Sequence, residues 1–383
     1  ADLYGSEYVG PIGVGTRRRP GGRLGAEAEL RVVYDTGSSD LWVSSDFCRT
    51  GPCTWHGRRR FNHSRSATFR APREAREFET SYGSGELAGF LGADDVRVGP
   101  LVVRQQALGL IAREAGDAFE SLPFDGIVGL GFPALATGAA SPLFDSIMKQ
   151  GLVAKHVFAF YLHPERKHGG AVLWGGADAR LHEGPLAWYN VVEESYWALD
   201  LVAFRVGNRS FVAAGAGPQQ APGLAGRPRR RRGAKRFEPL LIVDSGTTYF
   251  TATGEVYDAI RSYVRPMHCS RLASLPPLVY TLRDSEGRLR ELAVPPEEYM
   301  VRTDGYSDFC LPGVVALDGM VERRSLMILG ELFMRYYFTV FSRGGPSAGK
   351  AQVGVARAAH GDGAKAFFLD TTPDDDAGGA AEA

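Results

Sequence analysis

Short apolar runs recur along the chain, at Tyr8 to Val14, Leu30 to Tyr34, Leu41 to Val43, Val96 to Val98 and Leu101 to Val103. Each is cut after a few residues by Gly, Pro, Ser or Asp, which end extended segments in turns. Runs of this length between turn residues predict short strands. Helical expectation is confined to Pro142 to Gln150 after a Ser141 cap, Gly254 to Val264, and a turn near Glu331 to Arg335. The expected class is mostly β, with helices as decoration.

The pattern also repeats. Val32-Val33-Tyr34-Asp35-Thr36-Gly37-Ser38-Ser39 is echoed by Leu241-Ile242-Val243-Asp244-Ser245-Gly246-Thr247-Thr248, an apolar strand ending in Asp-hydroxyl-Gly-hydroxyl-hydroxyl. Each copy is followed at a similar distance by an apolar-Gly element, Ile127-Val128-Gly129 and then Ile328-Leu329-Gly330. Two related lobes are expected, 1–190 and 191–359, with a boundary near Asn190. Three stretches read as peripheral: a polar loop from Thr16 to Glu29, a basic insertion over 213–236, and an acidic disordered tail over 360–383.

Composition narrows the class. Of 383 residues, 44 are Lys or Arg and 44 are Asp or Glu, which excludes a generally basic nucleic-acid binder; 44% hydrophobic content excludes wholesale disorder. Gly 48 and Pro 22 agree with many turns. No apolar run reaches the roughly 18 residues of a membrane span. The run Arg227-Pro228-Arg229-Arg230-Arg231-Arg232-Gly233-Ala234-Lys235-Arg236 reads by default as a solvated loop. The alternatives are a proteolytic nicking site or an anionic-surface patch, and the latter lacks stacking aromatics before Phe237. The start at Ala1, just before Tyr8-Val9-Gly10, is expected to be a mature end.

Cys48, Cys53, Cys269 and Cys310 form two well-separated groups, and two local disulfides in an oxidising compartment are the simplest reading. A zinc site at Cys48, Cys53, His56 and His63 is the rival. Its second spacing is longer than usual, and the other cysteine group does not repeat it. The sequons Asn62-His63-Ser64 and Asn208-Arg209-Ser210 agree with a secretory setting.

A strand ending in Asp-Thr-Gly or Asp-Ser-Gly leaves a carboxylate at the strand end, with a tight glycine turn and hydroxyls able to hydrogen-bond it. One copy is an ordinary turn or cap. Two copies in matching positions bring Asp35 and Asp244 face to face across a pseudo-two-fold axis. Two carboxylates sharing a site do not readily both ionise, so the pair holds one acid and one base. Such a pair can activate a water against a peptide carbonyl and stabilise the developing oxyanion. The titration belongs to the pair and not to either residue.

With these motifs the chain resembles the pepsin-like aspartic proteases, whose dyad is a standard example of paired carboxylates. The resemblance runs from about Tyr8 to Ala359 and includes Asp35 through Val43, Ser81-Tyr82-Gly83-Ser84-Gly85, Phe124 through Gly131, Val243 through Thr248, and Ile328 through Phe341. It implies a bilobal fold with a central cleft and makes Tyr82 a flap tyrosine. Trp42 would be its hydrogen-bonding support, with Gly83 and Ser84 at the flap tip. It implies a clasp between Thr36 and Ser245 beside Gly37 and Gly246, with Ser38 and Thr247 on the outer carboxylate oxygens. Phe124, Ile127 and Thr248 would line the substrate pocket. The implied disulfides are Cys48 with Cys53 and Cys269 with Cys310. The two-bridge pattern, the Cys310-Leu311-Pro312-Gly313 segment and the Arg-rich insertions look most like the plasmepsin and toxomepsin group.

Other chemistries lack their motifs. Gly10-Pro11-Ile12-Gly13-Val14-Gly15 misses the third glycine of a dinucleotide fingerprint, and no Walker lysine, His-Glu-x-x-His or Gly-x-Ser-x-Gly elbow is present. The expectation is a monomeric aspartic endopeptidase with an acidic optimum, working without metal or cofactor on protein or peptide substrates. It would be blocked by pepstatin-like inhibitors, bind no nucleic acid, and act in the secretory pathway, an acidic vesicle or outside the cell. A catalytically silent pepsin-like binding protein is the alternative, which the intact pair of carboxylates and hydroxyls disfavours.

Overall fold

The structure is a computed structural model that describes all residues except 1–7, 19–23, 56, 75, 83–84, 121–123, 138–139, 166–168, 214–238, 303–307, 318–325, 345–348 and 372–383. The strands that build the site and its support are β1 (Val9–Val14), β2 (Ala28–Asp35), β3 (Leu41–Ser44), β4 (Glu77–Tyr82), β5 (Gly85–Val98), β6 (Leu101–Ala115) and β7 (Gly126–Gly129) in the first half. Then follow β8 (Val157–Leu162), β9 (Gly170–Trp174), β10 (His182–Glu193), β11 (Ala198–Val206), β12 (Leu240–Val243), β13 (Phe250–Ala252), β14 (Leu326–Leu329), β15 (Tyr337–Ser342) and β16 (Gln352–Ala358). The helices used below are α1 (Leu143–Lys149), α2 (Gly254–Tyr263), α3 (Glu331–Tyr336) and α4 (Asp362–Thr371). The fold is mostly β and bilobal, as expected.

The first-half sheet runs β1-β2-β7-β3-β6-β5-β4, and β1 also pairs with β5, folding the sheet back on itself. The repeat seen in the sequence is a repeat of topology. β7 lies parallel to β2, with Asp35 opposite Gly129, and antiparallel to β3. β14 likewise lies parallel to β12, with Val243 opposite Leu329, and antiparallel to β13. Each apolar-Gly element is thus the strand that threads between the two arms of an Asp turn. Strands enclosed on both sides carry continuous apolar runs, and Leu241, Ile242 and Val243 are all buried.

The expected boundary near Asn190 falls inside a strand. Asn190 of β10 pairs with Gln352 of β16, and β15 pairs with both β16 and β8. Strands from before residue 190 and from the end of the chain therefore form one shared layer, in the order β9-β8-β15-β16-β10. Its core is aromatic: Phe158 stacks on Phe341 at 5.1 Å, and Trp197 meets Phe132, Phe341 and Phe158 at 4.6, 5.0 and 5.7 Å.

Three local expectations change. The segment after residue 359, expected as disordered tail, contains α4, whose Ala364 and Phe367 are buried against Leu181 and Phe338. Arg180 lies 5.3 Å over Phe367 and bonds Asp370 at 2.5 Å. Acidic composition hid an apolar helix face; the rest of the tail, 372–383, lies outside the described residues. The α1 N-cap is Pro142 without a side-chain cap bond, and the Ser141 carbonyl instead accepts from Gln106 Nε2 at 2.8 Å. The loop from Thr16 to Glu29 contains a two-stranded ladder, Arg17–Arg18 with Leu24–Gly25. Most of the 213–236 insertion, including the Arg227 to Arg236 run, lies outside the described residues.

Both disulfides are formed, Cys48–Cys53 and Cys269–Cys310. The first bond removes the zinc reading, since its thiols are consumed, and His63 Nδ1 is 3.0 Å from Asp46. No helix among the described residues is long and apolar enough to cross a membrane.

If α4 is an integral part of the fold, Phe367→Ala lowers stability by about 3 kcal/mol. A denaturant midpoint equal to that of the unmodified chain would show that the helix contributes nothing.

Candidate active site

The two Asp turns meet where β2 and β12 end. Asp35 Oδ1 accepts from Gly37 N at 2.8 Å and Oδ2 from Ser38 Oγ at 2.5 Å. Asp244 repeats this, with Gly246 N to Oδ1 at 2.9 Å and Thr247 Oγ1 to Oδ2 at 2.6 Å. The turns also interlock. A Cβ on Gly37 would sit 2.6 Å from both Asp244 carboxylate oxygens, and one on Gly246 would sit 2.2 Å from Asp35 Oδ1. Each glycine is therefore required by the other turn's carboxylate and not by its own dihedral angles.

Beneath the carboxylates lies a reciprocal clasp. Thr36 N donates to Ser245 Oγ at 3.0 Å and Ser245 N to Thr36 Oγ1 at 2.9 Å. The same hydroxyls donate onward, Thr36 Oγ1 to Val243 O at 3.0 Å and Ser245 Oγ to Tyr34 O at 2.6 Å. Both residues are buried, and each hydroxyl is used as donor and acceptor at once.

Asp35 and Asp244 are 6% and 9% exposed. Burial holds the Asp35 carboxyl well above the ordinary carboxylate range, and the neighbouring Asp244 charge pushes it further. The Ser38 and Gly37 hydrogen bonds pull it partly back. One proton between two carboxylates is the state this arrangement favours.

Above the pair, Tyr82 Oη accepts from Trp42 Nε1 at 3.2 Å. The Tyr82 hydroxyl is pushed up, first by burial and then by the Asp35 charge, with Ser38 within hydrogen-bonding reach. Trp42 is fully buried in a cluster with Val33, Phe78, Ile111, Phe119, Phe124 and Ile127. Phe124 lies 6.1 Å from Trp42 and 6.4 Å from Phe119, and Ile127 belongs to the same cluster, so two of the three expected pocket residues share one apolar wall. Thr248 is half-buried, and its backbone carbonyl accepts from Leu332 N at 3.1 Å. Gly83 and Ser84 lie outside the described residues.

Sequence reading missed Tyr196, whose hydroxyl is pushed up by burial and then by the charges of Asp244, Glu193 and Asp35. It also missed Phe119. Neither belongs to a local motif. Among the described residues no cluster of His, Cys, Asp or Glu could hold a metal ion. A cavity of about 500 Å³ lies elsewhere, between Tyr8, Pro11, Tyr34, Phe160, Trp174 and Arg335, and none of the predicted site residues line it.

The profile of the Eukaryotic aspartyl protease family matches residues 7–353. The chain belongs to that family. Pepsin A of Bos taurus is 33% identical over 357 residues, covering 91% of this chain and 84% of the relative. Pepsin-3 of Oryctolagus cuniculus is 32% identical over 363 residues, covering 92% and 81%. Pepsin A of Sus scrofa is 32% identical over 357 residues, covering 91% and 82%. The protease is an aspartic endopeptidase of the pepsin-like kind.

Two stability measurements test the site geometry without reference to activity. Thr36→Val removes a hydroxyl used in both directions and leaves Ser245 N and Val243 O without partners. Loss of roughly 1–3 kcal/mol is expected in denaturant unfolding. Because folded Asp35 holds its proton more tightly than the unfolded chain does, its contribution is fully present below the ordinary carboxylate value of 3.8. It is lost as pH rises from there to the raised native value. Midpoints at about pH 4 and about pH 7 should therefore differ in favour of the lower pH, and Asp35→Asn should shrink the difference.

Proposed function

We propose that Asp35 and Asp244 are the catalytic dyad of this protease. The observation that carries the reading is the mutual seating of the two turns, each carboxylate over the other's glycine and each held by one backbone N–H and one hydroxyl. A water between the carboxylates gives a proton to the ionised one as its oxygen attacks the peptide carbonyl carbon. The protonated carboxyl donates to the carbonyl oxygen, giving a neutral gem-diol. Protonation of the amide nitrogen and loss of a hydroxyl proton to the dyad then break the C–N bond, releasing a carboxylic acid and an amine. The dyad returns with one proton.

Tyr82 on β4 closes over the substrate, supported by Trp42. Phe124, Ile127 and Thr248 line the substrate pocket, the first two for the residue before the scissile bond. Apolar side chains in a substrate fit the aromatic wall around Trp42. The enzyme acts as a monomer on protein or peptide substrates, because both half-sites lie on one chain, and pepstatin-like inhibitors occupy the same cleft. Two disulfides support a secretory, acidic-vesicle or extracellular setting. The same two-bridge pattern supports placement near the plasmepsin and toxomepsin group.

Asp244→Asn is expected to lower kcat for peptide cleavage by roughly 10²–10⁴-fold while the protein stays folded. Wild-type activity should peak at acidic pH and fall as the shared proton leaves. Turnover by the Asn variant at the wild-type rate would remove Asp244 from catalysis. Pepstatin binding without any cleavage by the wild type would instead mark a silent binding protein.

A further inference from the structure

The segment following β7 has two hydrogen-bonding faces. On one, Gly129 N donates to Asp40 O at 2.9 Å, Leu130 N to Asp35 O at 2.7 Å and Gly131 N to Ser38 O at 2.7 Å, while Ser39 Oγ donates to Phe132 O at 2.7 Å. This face holds the whole Asp35 turn. A Cβ on Gly131 would lie 2.7 Å from Ser39 Oγ and 2.8 Å from Ser38 O, so the segment is pressed directly onto the turn. On the other face the carbonyls accept from residues of the second half. Trp197 Nε1 donates to Leu130 O at 3.0 Å, and Arg343 Nη2 donates to Gly131 O.

Arg343 follows β15, and its side chain is only 7% exposed. Its Nη2 also meets Asp145 Oδ2 of α1 at 2.9 Å, and its guanidinium lies 4.1 Å from the Phe132 ring centre and 5.4 Å from that of Trp197. Its backbone N–H donates to His156 O at 2.9 Å, fixing the base of the side chain to the shared layer. Burying a guanidinium carries a large desolvation penalty, which a plain packing role does not require. A planar, fixed fork held between a ring, a carboxylate and a carbonyl has one available geometry.

We propose that Arg343 is a positioning residue for the dyad, setting through the Gly131 carbonyl where the Asp35 turn stands relative to Asp244; this rests on the peptidase reading above. The path is short: Arg343 to Gly131 O, Gly131 N to Ser38 O, and Ser38 Oγ to Asp35 Oδ2. The Asp244 turn is likewise held by backbone N–H groups, those of α3, with Glu331 N donating to Thr247 O at 2.8 Å and Leu332 N to Thr248 O at 3.1 Å. The segment that backs the Asp35 turn is bonded by a side chain from the far end of the chain, Arg343.

The test is steady-state peptide cleavage across pH by the full chain carrying Arg343→Leu or Arg343→Lys. The Leu variant should lose roughly 10–100-fold in kcat with KM changed by no more than about twofold, since substrate contacts are untouched. Its pH profile should narrow from both sides. A slack Asp35 turn lets the carboxylates separate and hydrate, weakening the repulsion that splits their two titration steps. Lys, which can still reach a carbonyl, should recover part of both effects. If the Leu variant does not fold, Arg343→Gln, which keeps a neutral donor, takes its place in the same comparison. Wild-type kcat and pH limbs in the variants overturn the proposal. So does a lower kcat with unmoved limbs and no recovery by Lys, the signature of a purely structural residue. A wild-type chain that cleaves nothing overturns the peptidase reading and this one together, whereas active wild type with indifferent variants overturns this one alone.

Discussion

The hydrogen bonds exchanged between Thr36 and Ser245 are the constraint on which the rest of the site depends. The two residues are 209 positions apart, yet each backbone N–H is satisfied by the other's hydroxyl, and each hydroxyl passes its own proton to a carbonyl beneath the opposite turn. Such a set has no slack: a buried donor that loses its partner has no water to turn to. With the clasp closed, the glycines that follow are carried under the opposing carboxylates, and neither turn can shift without striking the other. The close pairing of the two carboxyl groups follows from that interlock. Two carboxylates are forced into one dry place, and the cheapest way to occupy it is with a single shared proton.

The clasp is held in turn by two aromatic supports. On the Tyr82 side, Trp42 is both a core residue and a hydrogen-bond donor, so its indole ties Tyr82 to the same buried cluster that carries Phe124 and Ile127. On the other side of the Asp35 turn, Trp197 does the equivalent, donating to Leu130 O while its ring packs among Phe132, Phe158 and Phe341. In both places a ring large enough to anchor itself in the core presents a single polar atom to the moving parts.

Much of the site was legible because its chemistry demands particular side chains at fixed spacing. An Asp followed by a hydroxyl, a glycine and another hydroxyl is the shortest way to write the clasp, the close approach and the outer hydrogen bond together. The second motif was legible for a steric reason: a Cβ at Gly129 would lie 2.4 Å from Ser39 C, and one at Gly330 would lie 2.3 Å from Thr247 O. Tyr196, Phe119 and Arg343 carry no such mark. Tyr196 lies in a turn, Phe119 on the short helix Asp117–Glu120 and Arg343 just after β15, and nothing beside them separates a site residue from core. The same limit explains why the strand around Asn190 was not legible, because the internal echo registers the two half-sites and is blind to the strands that join them. In α4, an acidic composition concealed Ala364 and Phe367, whose burial only the docked helix reveals.

The shared layer has a consequence for how the molecule comes into being. β16 lies between β10 and β15, and β15 is the neighbour of β8. β8 therefore waits for residues 337–342 and β10 for residues beyond 350 to pair their edges, and the partner of Thr36 is itself 209 residues downstream. The fold is dominated by contacts between remote parts of the chain, a class that assembles slowly and exposes strand edges meanwhile. A nascent chain halted short of β16 has both aspartates and both clasp hydroxyls already synthesised, yet lacks the central strand on which its halves close. The protease thus becomes a single molecule only when its last strand arrives, and an interrupted product is better placed to aggregate than to cut.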